Sequence, residues 1–323
     1  MYSIQPYYYK RNTIAGSYSR LDAVPNLIME PRQNGILFKV DHNDLTNIVQ
    51  SIPFPKREDT TALVAYYRYV FLVKEDLLIK METVPELEEI KTVRGFRNTT
   101  LTARATTDDG PHIYTITDGE LRKINMNTLE IVKSSPGWEN ARLMDGIGPN
   151  LYIVVGDDLI NIDAKTLHEK QRISGWSDAN LLTVPGNSYI YIFKNDELIK
   201  LSEGTLQFQD STRDWAGTRL MAGAGRFIYL IRDGELICLL GSTLKQHPNV
   251  PVGSGWENAT LMSSFINYIF LVTEEANSFK NPEMFYRGYA DYNQHNCQLS
   301  IPRAPYYYYS SYYPYYPYFY YFE

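Results

Sequence analysis

The sequence predicts an all-β fold: a six-bladed β-propeller of four-stranded antiparallel blades. Three observations predict it. An aromatic residue recurs at Phe96, Trp138, Trp176, Trp215 and Trp256. The spacing is about 40 residues, a period that marks repeat architectures. Each period holds four short apolar runs separated by turn-forming residues. No helical periodicity competes with this pattern.

The unit that begins at Trp138 shows the runs most clearly. They read ARLMDG, LYIVVG, DLINID and LHEKQRI, separated by GIGPN, DD and AKT. Runs of this length, rich in Ile, Val, Tyr and Leu and bounded by Gly, Asp, Asn and Pro, form strands joined by tight hairpins. Four strands joined in this way make one blade.

Each strand type can be followed along the chain. The first carries a leucine at Leu63, Leu101, Leu143, Leu181, Leu220 and Leu261. The second centres on Phe71, Tyr114, Ile153, Tyr191, Tyr229 and Phe270, in runs apolar enough to be buried on both faces. The third carries Leu37, Leu78, Leu121, Leu159, Leu198 and Leu236. The fourth begins at Leu45, Leu87, Leu129, Leu167, Leu206 and Leu244.

The two ends of this pattern are out of phase. It opens at residues 35–52 on a third and a fourth strand and closes at residues 260–273 on a first and a second. Pairing the two halves completes the sixth blade and removes two sheet edges. Seven blades is the alternative, with NLIMEP and residues after Glu274 supplying further strands.

The organisation is therefore a tyrosine-containing arm at 1–34, a ring at 35–273, a strap at 274–305 and a low-complexity segment at 306–323. In that last segment 11 of 18 residues are tyrosine, with Pro314 and Pro317 three apart. Prolines at this spacing suit an extended, polyproline-like path. Tyrosine offers a large apolar ring and a hydrogen-bonding hydroxyl at small entropic cost. The segment is expected to be adhesive. The candidate assembly residues are Tyr7, Tyr8, Tyr9, Tyr306, Tyr307, Tyr308, Tyr309, Tyr312, Tyr313, Tyr315, Tyr316, Tyr318, Tyr320 and Tyr321.

A net charge of −6 and a pI near 5.5 argue against nucleic acid as the main partner. No run reaches the roughly 18 apolar residues of a membrane span. MYSIQPYYYKRNTIAG contains no apolar leader, so the expected compartment is the cytoplasm of the producing cell, with release or deposition on a surface layer as the other course. Cys238 falls in a third strand and reads as a small core residue, while Cys297 lies in the strap. No disulfide framework, metal site or cofactor motif is expected.

Two roles are open to the repeated tryptophan: packing between blades, or offering a flat face to a sugar ring. The acidic hairpin residues Asp157, Asp158, Asp196, Glu197, Asp233 and Glu235 read as solvated turns rather than a calcium loop. His42, His112, His168, His247 and His295 occupy different repeat positions and form no ligand ring. Towards the ends of the inner strands, Arg104 and Asp145 are the only ionisable candidates, thin support for catalysis. The expectation is a protein that is not an enzyme.

VGSGWENATLM and GWENARLMDGIGPNLYIVVGDDLINID resemble the blade repeat of the tachylectin-type β-propeller lectins, over about residues 95–273. That family has five blades and binds N-acetylated sugars between adjacent blades; six blades are counted here. The resemblance implies sugar contacts at Trp138, Trp176, Trp215 and Trp256, with Asn140, Asp178 and Asn258 beside them. It implies a lectin-like, multivalent binder of glycans. The tyrosine-rich segments add self-association. The alternative is a self-assembling structural protein, of the spore-coat, crust or intracellular-crystal type, in which the ring is a rigid brick.

Overall fold

The computed structural model describes residues 34–55 and 60–273. They form six antiparallel sheets. Five blades are continuous in sequence: residues 60–94, 99–135, 141–174, 179–212 and 218–254, the first to fifth blades. The sixth, the seam blade, has the strand order Ile48–Pro55, Asn34–Asp41, Tyr268–Thr273, Ala259–Phe265. It joins the two ends of the described chain, with Ile36 opposite Thr273 and Asp41 opposite Tyr268. The ring is thus six-bladed and closed two strands plus two. The arm, the strap and the tyrosine-rich segment lie outside the described residues. Among those described, no helix is long and apolar enough to cross a membrane.

Hairpin chemistry sets the blades. Between second and third strands, Asp118-Gly119, Asn195-Asp196 and Asp233-Gly234 all take positive φ, the left-handed geometry whose twist matches the flanking strands. In the fifth blade Pro248 and Pro251 interrupt the outer strand. Proline has no N–H to give a ladder, and only the short pieces Lys245–Gln246 and Gly253–Ser254 pair with Glu235–Leu240.

The core is divided into six wedges, one between each pair of neighbouring blades. This is why the second strands are apolar on both faces. All six third-strand leucines are fully buried. Two wedges flank the seam. In one, Phe38 meets Trp256 edge to face at 5.4 Å; in the other, Leu37, Phe270 and Val272 pack with Leu63 and Ile79.

The pairings correct three details of the sequence reading. Tyr152, not Ile153, is the register equivalent of Tyr114, Tyr191 and Tyr229, for it lies opposite Asn161 as they lie opposite Lys123, Lys200 and Cys238. Ala62, not Leu63, occupies the first-strand leucine position, opposite Val73. A one-residue slip turns a side chain to the other sheet face, and both alternatives were apolar, so hydrophobicity could not choose.

The third correction concerns the fourth-strand leucines, which precede their strands. Leu129, Leu167, Leu206 and Leu244 sit buried in the turn with φ of 58°, 58°, 55° and 58°. Each donates its N–H to the residue four earlier, Asn125, Asp163, Ser202 and Leu240 respectively. A non-glycine left-handed residue costs roughly 1–2 kcal/mol, and burying a leucine side chain returns about 1.5–3 kcal/mol.

The equivalent tyrosines bolt four of the blades, the second to the fifth, to the next; the first blade has Phe71 there. The hydroxyls of Tyr114, Tyr152 and Tyr191 donate to the carbonyls of Ala164, Glu203 and Gly241 at 2.8, 2.9 and 3.0 Å. Tyr229 approaches His42 Nδ1 at 3.4 Å across the seam. Where the seam blade has Phe270, its Lys39 donates to the Thr83 carbonyl of the first blade instead. Burial raises the phenols of all four tyrosines, Tyr191 to about 12.

Candidate functional site

Strand direction gives the ring two distinct faces. One carries the hairpins between second and third strands and the Gly-Trp turns between blades. The other carries the hairpins between first and second strands and the leucine turns.

On the first face, four of the five aromatics clip their turns to the hairpin before them. The N–H groups of Phe96, Trp138, Trp176 and Trp256 donate to the carbonyls of Asp76, Gly119, Asp157 and Gly234. Asp157 adds its carboxylate, which accepts from Gly175 and Ser177 N–H at 3.0 and 2.9 Å. The backbone bonds at Ser177 and Gly175 hold that carboxyl below its ordinary range. The acidic hairpin residues are therefore not all idle solvated turns.

The indoles point inward from these turns. Trp256 and Trp176 are 1% and 8% exposed, and Trp138 and Trp215 are half-buried. Trp215 Nε1 donates to the Leu244 carbonyl at 2.8 Å. At Trp176 and Trp256 the flat faces that a sugar would need are packed between blades, while Arg232 lies over the Trp215 ring. Asn140 and Asp178 are exposed and Asn258 is half-buried, so these polar neighbours line the turns while the rings lie beneath. Phe96 is buried at the same position.

The central channel holds the two charges singled out on the inner strands. Arg104 pairs opposite Ile113; the residues at the same register elsewhere are Ala65, Gly146, Gly223 and Ser264. One long side chain therefore enters a layer of small ones. Its guanidinium donates to Ala65 O on the neighbouring blade at 2.9 Å, and to Gly223 O on the opposite side of the ring at 3.3 Å. A Cβ at Gly146 would lie 2.6 Å from Arg104 O, and one at Gly223 2.7 Å from the Pro185 ring. Glycine is needed at Gly146 because the backbones approach so closely, and at Gly223 because the Pro185 ring and the Thr183 hydroxyl fill the space.

Asp145 accepts from Val184 N–H at 2.8 Å, from Gly146 N–H at 2.8 Å and from the Thr183 hydroxyl at 3.1 Å. Burial pulls the Arg104 guanidinium down and pushes the Asp145 carboxyl up; the attraction between them opposes both shifts. Each charge is committed chiefly to backbone groups, so the pair acts as a brace across the channel. Arg104→Ala is expected to lower stability by about 2–3 kcal/mol, since bonds to a charged donor are lost. Arg104→Met, which refills the column with apolar atoms, should lose less. Chemical unfolding of the two variants checks this order.

The second face carries an aromatic cluster that sequence reasoning missed. Tyr66 and Tyr67, on the first-to-second hairpin of the first blade, meet Phe265 of the seam blade at ring separations of 4.9 and 6.5 Å. Phe265 lies over the Arg104 guanidinium at 5.3 Å. Tyr66 shares a hydrogen bond with Thr106 of the second blade at 2.6 Å. Tyr67 is 67% exposed and Ile266 52%. The available signal was YYRY and FINY standing where the other hairpins carry Gly or Asp, as in TDDG and AGAGR.

Cys238 is buried, its thiol pushed up to about 12. His112 is buried beside Asp109 and Lys123, and His42 and His247 flank Phe227. The structure does not bring the described histidines together.

No family model matches the sequence, and no curated protein matches it. Similar solved structures include BamB from Moraxella catarrhalis, at 10% identity over 74% of this chain and 92% of that one, with a TM-score of 0.43. The Neurospora crassa Pan2 WD40 domain is similar at 9% identity over 67% and 72%, TM-score 0.45. PorZ of Porphyromonas gingivalis, a surface component of the type-IX secretion system, is similar at 12% identity over 58% of this chain, TM-score 0.43; this chain spans 28% of it. The six-bladed ring rests on the strand pairings themselves.

Proposed function

We propose that this protein is a non-enzymatic scaffold whose rigid ring is a building block and whose tyrosine-rich segments join copies together. The observation that carries this reading is the seam. Asn34–Asp41 starts, and Tyr268–Thr273 ends, on the Gly-Trp face, with Ile36 opposite Thr273. Residues 1–33 and 274–323, which contain the two tyrosine clusters, therefore attach side by side at one point of the ring. The channel charges support a scaffold too, since both are bonded chiefly to the backbone.

The test is sedimentation of the full chain and of a chain truncated after Pro305, from pH 7 to about 10. The full chain should associate at neutral pH and dissociate as its phenols ionise near their ordinary value of about 10. The truncated chain should stay monomeric throughout. Identical behaviour of the two chains would remove the proposal.

A lectin-like role is the second reading, favoured by the repeated turn in which exposed Asn140 and Asp178 stand beside the aromatic. It predicts retention on an N-acetylglucosamine matrix and elution by the free sugar. A several-fold avidity gain over one site would follow from multiple equivalent turns. No retention on that matrix would exclude N-acetylglucosamine as the ligand.

A further inference from the structure

From the assembly reading above, on which it rests, we infer that the patch formed by Tyr66, Tyr67, Phe265 and Ile266 receives the tyrosine-rich segment Tyr306–Glu323 of a second copy. Three observations converge on it.

The first is strain with little return to the fold. Tyr67 and Ile266 hold left-handed backbone, with φ of 57° and 49°. Bulky and β-branched residues rarely do so, and such strain gathers where a surface is used for something else. Both side chains are exposed, so they recover far less by packing than the buried turn leucines do. They stand on neighbouring blades, with Tyr67 against the ring of Phe265, the residue before Ile266.

The second is chemistry. The patch is lined by aromatic rings, with the exposed Arg68 guanidinium over Tyr69 at its edge. Segments with prolines three apart dock into aromatic-lined surfaces, and arginine favours aromatic faces. Pro314-Tyr-Tyr-Pro317 within a run of tyrosines fits both.

The third is direction. The chain leaves the seam on the Gly-Trp face, and the patch lies on the opposite one. A segment from one ring therefore meets the patch of the ring stacked beyond it. The contact is heterologous, and repetition of a contact that does not close builds a filament.

The experiment uses the full chain, the chain truncated after Pro305, and the Tyr67→Gly/Ile266→Gly double variant of each, with a synthetic peptide spanning Tyr306–Glu323 as the probe. The double variant should melt about 2–4 °C higher, because glycine relieves the turns. It should nevertheless bind the peptide at least tenfold more weakly, and the full-length double variant should no longer associate. Equal peptide binding by parent and variant rings would overturn the inference. So would unchanged association of the full-length variant, while leaving the broader assembly reading intact. If the full chain resists added peptide yet stays monomeric at every concentration, the segment occupies its own ring and the second-copy assignment falls. Equal association of full and truncated parents would instead sink the assembly reading itself.

Discussion

Raising the pH from about 9 to about 11 is expected to withdraw about 8 kcal/mol of folding stability from the ring. The groups responsible are Tyr114, Tyr152, Tyr191, Tyr229 and Cys238, all buried and all with raised values, Tyr191 and Cys238 to about 12. In the unfolded chain a tyrosine loses its proton near 10 and a cysteine near 8.5. The native state holds those protons to higher pH. Their stabilisation is thus complete below the ordinary values and is lost as pH climbs towards the native ones. Each group then draws down about 1.4 kcal/mol per pH unit.

A fall of that size approaches the whole stability of an ordinary domain. Unfolding should therefore be cooperative near pH 11, with the four buried phenols' share of the phenolate absorbance and loss of sheet circular dichroism rising together. Tyr152→Phe supplies the control. It should be less stable by about 1 kcal/mol at neutral pH through the lost bond to Glu203, yet nearly equal to the parent at pH 11. Ionisation of the four buried phenols near pH 10 while the sheet signal persists would contradict the bolting role; the Tyr→Phe variant at each position identifies their share of the absorbance. The result also sets the upper limit for reading dissociation of assemblies.

Trp256→Ala is expected to cost about 3–5 kcal/mol, the range for emptying a fully buried aromatic site. The indole is 1% exposed and closes the wedge between the fifth and seam blades against Phe38. Trp176→Ala should lie close behind, while the half-buried Trp138 and Trp215 should cost less. The ordering by burial, measured by denaturant midpoints, separates an interblade role from a sugar platform. A Trp256→Ala ring as stable as the parent, but unable to bind an N-acetylated sugar, would reverse the assignment.

Much of the ring was legible because burial repeats. The third-strand leucines fall at one register in all six blades, and the out-of-phase ends announced the shared sheet. Phe96 was correctly read in the tryptophan position. The misplacements at Leu63 and Ile153 arose where two adjacent apolar residues competed and only backbone pairing could decide. The leucine turns were read as strand starts because a left-handed leucine contradicts local preference, and only its neighbours in the wedge hold it there.

The candidate sites divide in the same way. Arg104 and Asp145 stood out as charges towards the ends of the inner strands, but they are held across blades by the carbonyls of Ala65 and Gly223 and by Thr183 and Val184, which no sequence pattern reveals. The Tyr66–Phe265 cluster was overlooked because its members lie about 200 residues apart and meet only through ring closure.

The seam also has a consequence for biosynthesis. Among the described strands, the hairpin Asn34–Pro55 is made first and its neighbour Tyr268–Thr273 last. At ordinary translation speed the early hairpin waits about 10–40 s for its mate. During that delay Leu37, Phe38 and the open strand edge beside them stand exposed to the crowded cell, where a chaperone or another nascent chain can reach them. Of the described strands, the last to leave the ribosome is the one that locks the wheel.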